Sequence, residues 1–123
     1  MDTPDSSFVR FLKGFVHAGR GIITALQEQQ NLKIHFLATI AVIGAGIFFP
    51  VSRAEWVLLL LTIGFVWVSE MVNTSLEYLT DIVTQEYHPL AAKVKDVAAG
   101  AVLVASVIAV VIAVLIFGKY VVL

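Results

Sequence analysis

The chain is expected to be an all-α integral membrane protein, with an N-terminal amphipathic surface helix followed by three transmembrane helices. Three observations point there: an excess of apolar residues, a shortage of charge, and long apolar runs separated by polar joints. Hydrophobic residues make up 59% of the 123 positions and charged residues 14%. Soluble domains run at about 45–50% and about 25%. A soluble domain this small has too little interior for so much apolar side chain. The length predicts one domain, residues 1–123. The absence of cysteine excludes a disulfide framework and thiolate chemistry.

Residues 1–7 read as a polar tail in which Asp5 or Ser6 caps the following helix. The tail lacks the basic start and apolar core of a cleaved signal peptide, so the first membrane segment is expected to be retained. Over residues 8–27, Phe8, Phe11, Leu12, Phe15, Ile22, Ile23 and Leu26 recur at helical spacing. Arg10, Lys13, His17, Arg20 and Gln27 occupy much of the other side. Such a segment suits a membrane interface, apolar side to the acyl chains and basic side to lipid phosphates. Packing on a partner helix is the plainer alternative.

Residues 34–52 form the first predicted span. At 1.5 Å per residue they approach the roughly 30 Å hydrocarbon core. Pro50 and Ser52 predict a turn before Arg53 and Glu55. The second span is placed at residues 54–79, with Trp56 as an interface anchor. Residues 82–94 read as a polar connection, where Pro89 opposes an uninterrupted helix. Residues 97–118 are free of charge over 22 positions and make the third span. Ala101, Ala105, Ala109 and Ala113 form a small-residue stripe suited to close helix approach, with Gly44 and Gly46 as weaker signals. With the N-terminus inside, Arg10, Lys13, Arg20, Lys33, Lys93 and Lys95 fall on the cytoplasmic side, and only Arg53 and Lys119 fall outside. That imbalance predicts N-in, C-out.

The second span carries Glu70, Asn73, Glu77 and Asp81 along one side of an otherwise apolar helix. Glu70 and Glu77 are nearly two turns apart, about 10 Å along the axis. A carboxylate at the bilayer centre costs roughly 2.5–3.5 kcal/mol on insertion scales. These acids should therefore face a bundle interior, hold a cation or stay protonated. Carboxylates with an asparagine oxygen suit a hard divalent ion such as Mg²⁺. A free carboxylate can act as general base on an alcohol. Proton transport and a structural polar network use the same residue types. Asn73-Thr74-Ser75 matches a glycosylation acceptor, but its place in a membrane helix argues against that use. There is no GxxxxGK[ST] loop, HExxH or paired CxxC. The basic residues are too few and too close to the membrane for nucleic acid recognition.

Glu70-x-x-Asn73-Thr74-x-x-Glu77-x-x-x-Asp81 resembles the small bacterial membrane kinases that phosphorylate diacylglycerol or undecaprenol. So do Ala92-Lys93-x-Lys95-Asp96-Val97-Ala98-Ala99-Gly100-Ala101-Val102-Leu103 and Asn31-x-Lys33-x-His35. The resemblance runs from about Arg10 to Phe117. It implies a surface helix plus three transmembrane helices in the bacterial inner or cytoplasmic membrane. It also implies a homotrimer whose active sites are shared between subunits at the cytoplasmic surface. Its substrates would be ATP and a lipid alcohol, with Mg²⁺ as cofactor. By resemblance Glu70 is the catalytic base, and Glu77 holds Mg²⁺ with ATP. Asn73 supports the site and Asp81 completes the acidic motif. Lys95 and Asp96 contact the nucleotide, while Arg10, His17, Glu86 and His88 lie at positions tied to nucleotide binding.

Two departures stand out. The family places glutamate as a second metal ligand two residues before Asn31, where this chain has Gln29 and the neighbouring Glu28. Helical neighbours point about 100 degrees apart, so Glu28 replaces that ligand only through a local shift. Gln29 still offers a neutral carbonyl oxygen, and the remaining alternative is that the substitution impairs activity. His17 stands where tyrosine is usual. The Asn-x-Lys-x-His segment and the third-helix motif resemble the undecaprenol kinase branch more than the enterobacterial diacylglycerol kinase branch. The expected reaction is ATP-dependent phosphorylation of undecaprenol. Diacylglycerol is the alternative acceptor, and a non-enzymatic oligomer or proton-coupled component is the remote one.

Overall fold

A computed structural model describes residues 3–122. Four helices follow one another: α1 Ser7–Glu28, α2 Gln30–Phe48, α3 Arg53–Val83 and α4 Pro89–Val121. The last three are long and apolar enough to cross a membrane.

Local chemistry explains where the helices start and stop. Ser6, rather than Asp5, caps α1, its hydroxyl accepting from the Val9 amide at 3.3 Å. Asp5 instead pairs with Lys13. Between α1 and α2 only Gln29 leaves helical geometry, with φ −105° and ψ 113°. Helix α2 stops at Phe48, four residues before the sequence-based end. Phe49, preceding Pro50, is extended, as sterics before proline require. Ser52 and Glu55 then form a reciprocal capping box with two bonds of 3.2 Å, which starts α3.

The expected polar connection over 82–94 is shorter. Helix α3 runs on to Val83, and α4 begins at Pro89 because proline is tolerated in a first helical turn. The His88 Nδ1 atom caps α4 by accepting from the Leu90 amide at 3.1 Å. A helix does not end at its first charged residue, so α3 and α4 both extend past the charge-free stretches.

The spans pack antiparallel, and α3 against α4 is the most extensive contact. Leu59, Val66, Glu70, Asn73 and Thr74 form the buried side of α3, with Ala98, Ala105 and Ile116 buried on α4. Of the alanine stripe, Ala105 is buried, Ala109 and Ala113 are half-buried, and Ala101 is exposed. Gly46 permits a close approach of α2 to α3: a Cβ there would lie 2.6 Å from the Trp56 indole. Gly44 faces open space. Trp56 is thus half-buried against α2 as well as near a helix start. At the same end, Tyr120 stacks on Phe49 and donates to the Pro50 carbonyl at 3.1 Å, while Lys119 pairs with Glu55 at 2.8 Å. These contacts hold the end of α4 to the α2–α3 turn and leave the acidic stripe at the opposite end.

Most large apolar side chains, among them Phe48, Leu61, Ile82 and Leu115, face outward. An apolar exterior of this extent fits lipid or a partner helix rather than water.

Candidate active site

The acidic stripe runs from a dry interior to an open end. Glu70 is only 1% exposed. Asn73 and Thr74, about one turn further, are buried as well. Glu77 is half-buried and Asp81 exposed. At 1.5 Å per residue α3 spans about 46 Å, more than a hydrocarbon core. Its polar end can therefore reach water while Glu70 remains enclosed.

Polar partners come from three elements. On α3 itself, the Asn73 amide donates to Glu77 Oε1 at 3.3 Å. From α2, His35 places Nε2 3.8 Å from Glu70 Oε2. From the end of α1, Glu28 accepts a hydrogen bond from Tyr78, the residue after Glu77. Among the described residues, three buried atoms in this stretch, Glu70 Oε2, Asn73 Oδ1 and Thr74 Oγ1, have no hydrogen-bond partner. Buried polar atoms are nearly always paired, so three within five residues are unusual and leave polar atoms open to a group from outside this set of helices.

The other expected site residues are distributed more widely. Lys95 is bound to Asp81 at 2.8 Å, which joins the α3 acidic motif to the start of α4. His17 lines a groove between α1 and α3 with Arg20, Thr24, Thr74, Ser75 and Tyr78. Arg10 is exposed and donates to Ser7. Glu86 is exposed in the α3–α4 link, and Asp96 is exposed on α4. His88 serves as the α4 cap. Among the described residues, no three His, Cys, Asp or Glu side chains approach closely enough to form a metal cage.

Glu28 ends α1, and Gln29 follows it as the extended C-cap with φ −105° and ψ 113°. Glu28 turns to α3 and meets Tyr78 beside Glu77.

Sequence reasoning passed over two neighbours of the acids. His35 drew notice only within its motif, and Tyr78 not at all. A histidine at the start of an apolar span was a usable signal for the first. Nothing in the local pattern pointed to Tyr78, because its partner lies 50 residues away.

The sequence profile described as prokaryotic diacylglycerol kinase matches residues 16–117. The chain is 42% identical over 119 residues to the undecaprenol kinase of Bacillus subtilis (strain 168), covering 95% of this chain and 97% of the relative. It is 39% identical over 102 residues to a diacylglycerol kinase of Synechocystis sp., covering 82% of this chain but only 58% of that longer protein. To the diacylglycerol kinase of Escherichia coli (strain K12) it is 26% identical over 106 residues, covering 86% of this chain and 87% of the relative.

Proposed function

The chain belongs to the prokaryotic diacylglycerol kinase family, and from that premise we propose that it phosphorylates undecaprenol to undecaprenyl phosphate with ATP. The observation that carries the chemistry is Glu70, a buried carboxyl with an unpartnered oxygen on a membrane-spanning helix. The near full-length similarity to a protein named undecaprenol kinase favours that acceptor. Diacylglycerol is the second reading, favoured by the family description and the Synechocystis relative.

In this reading the lipid alcohol diffuses laterally to Glu70, and ATP arrives from the aqueous side at the open end of the stripe. Glu70 accepts the hydroxyl proton as the alcohol oxygen bonds to the γ-phosphorus. The bond from that phosphorus to the bridging β–γ oxygen breaks, and ADP leaves. Burial of Glu70 keeps water from competing as acceptor. Asn73 orients Glu77 through their 3.3 Å bond. Lys95, Asp96, Arg10, His17, Glu86 and His88 are the nucleotide contacts. Lys95 exchanges Asp81 for a phosphate.

The residues around Tyr78 fit the Mg²⁺ that the family implies. Glu77, Glu28 and the Gln29 carbonyl are hard oxygen donors, and the buried Asn73 Oδ1 lacks a partner. Magnesium sites commonly use one or two carboxylates and leave the other positions to phosphate and water. Glu77 and Glu28 would hold the ion, with Gln29 as a neutral neighbour. Bound there, the ion neutralises charge on the phosphates.

The assembly in this reading is a homotrimer in the bacterial cytoplasmic membrane, N-terminus in and C-terminus out. Outward apolar faces on every span support a partner copy. Exposed Phe8, Phe11 and Phe15, with Arg10, Lys13 and Arg20 on the same short helix, support α1 as a surface helix.

The test is a radiolabelled ATP assay in bilayers that offers each lipid alcohol separately. Undecaprenol is expected to be labelled in preference to diacylglycerol. Preferential labelling of diacylglycerol would replace the first reading with the second. A folded, Mg²⁺-supplied chain that labels neither would overturn both.

A further inference from the structure

A buried carboxylate oxygen without a donor is costly, so the group facing it matters. His35 Nε2 lies 3.8 Å from Glu70 Oε2, within ion-pair range but beyond a hydrogen bond. A shift of roughly 0.6 Å would close that bond. Among the described residues Glu70 Oε2 has no hydrogen-bond partner, and Asn31, one turn before His35 on α2, is the other polar side chain that faces this carboxyl.

The placement of this imidazole is held from both helices. One turn along α2, the Thr39 hydroxyl donates to the His35 carbonyl at 2.7 Å. The same Thr39 oxygen accepts from Trp67 Nε1 at 2.9 Å, and Trp67 stands three residues before Glu70 on α3. Phe36, next to His35, meets the Trp67 ring edge-on with centroids 6.2 Å apart. One interhelical bond thus sets the height of both His35 and Glu70. The cavity that His35 lines is otherwise formed mainly by apolar side chains such as Val42, Ile63, Val66 and Ala109. The ring meets no rival acid there.

We infer that His35 is a positioning residue for Glu70, its Nε2 holding Oε2 so that the other carboxyl oxygen meets the lipid hydroxyl. This rests on the lipid kinase reading of the site. A base with one oxygen held turns a rotating carboxyl into an aimed one, which is the orientational part of catalysis. A structural histidine would instead stabilise the α2–α3 contact and leave turnover alone.

The full chain in bilayers tests this, with kcat and the KM for ATP measured on undecaprenol. His35→Leu is expected to lower kcat roughly 10- to 100-fold, the range for losing a hydrogen bond to a charged group. The KM for ATP should stay within about twofold. His35→Gln, whose amide nitrogen reaches nearly as far as Nε2, should recover more turnover than His35→Asn, which does not. In a Glu70→Gln background, His35→Leu should leave the residual rate within about twofold, because no carboxylate remains to be aimed. The inference is overturned by unchanged kcat in His35→Leu, by a loss expressed only in KM, or by the same fold loss without Glu70. Should His35→Leu fail to fold, equal turnover of the Gln and Asn variants overturns it. An active chain indifferent to His35 defeats this inference alone. An unaltered chain that phosphorylates no lipid alcohol defeats the kinase reading and the inference together.

Discussion

Glu28, the last residue of α1, accepts a hydrogen bond from the hydroxyl of Tyr78, the residue after Glu77 on α3. The contact ties the first helix to the open end of the acidic stripe. It also places a carboxylate against the residue that follows Glu77.

If Tyr78 aims Glu28 at the metal, Tyr78→Phe should raise the Mg²⁺ concentration needed for half-maximal activity by about 10-fold, the low end for losing a supporting hydrogen bond. Binding of Mn²⁺ with a non-hydrolysable ATP analogue, followed by electron paramagnetic resonance, should weaken in parallel. Unchanged Mn²⁺ affinity would show that the Tyr78–Glu28 bond serves only helix packing.

Glu28→Gln should impair Mn²⁺ binding more than Gln29→Ala, because it removes the charged donor. Gln29→Glu should lower the Mg²⁺ requirement by adding a carboxylate at the helix break. Equal effects of Glu28→Gln and Gln29→Ala would return the ligand role to Gln29.

Removing the base separates chemistry from binding. Glu70→Gln should reduce kcat by about 10²- to 10⁴-fold, the usual range for a general base. ATP affinity, measured with a fluorescent analogue, should stay within about twofold. Matched losses in both would place Glu70 in nucleotide binding instead.

Gly46 makes a prediction about stability alone. Gly46→Ala gains about 1 kcal/mol of helix propensity, but drives a methyl into the Trp56 ring at 2.6–2.8 Å. Overpacking costs about 1–3 kcal/mol, and a rigid indole yields poorly, so a lower thermal midpoint is expected in detergent. Trp56→Leu should restore it. A raised midpoint in Gly46→Ala alone would mean that the helices separate at no cost.

The Asp81–Lys95 pair at 2.8 Å implies competition with the nucleotide. Lys95→Ala should raise the KM for ATP by about 10-fold, as loss of a charge-assisted contact would. Asp81→Asn should change it much less. An equal rise in both would make the pair a fastening between α3 and α4.

The three apolar runs were legible in the chain because insertion free energy accumulates residue by residue and needs no partner. The acid line was legible for a related reason: a carboxylate costs too much in lipid to stand on a membrane helix without cause. Helix ends were less legible. Pro89 opens α4 rather than marking the middle of a long loop, because a first-turn proline loses no helical hydrogen bond. Within one copy of the chain the alanine stripe is buried at Ala105 and exposed at Ala101.

What the sequence by itself determined is therefore the set of membrane segments and the identity of the acids, both properties of single residues and their spacing. Tertiary structure decided which atoms meet. Antiparallel register sets His35 against Glu70 and Asp81 against Lys95, and the packing of α1 on α3 sets Glu28 against Tyr78. Each pairing depends on the height and rotation of one helix against another. A hydrophobic pattern constrains those only to within a turn, whereas a hydrogen bond needs them to within a fraction of an ångström.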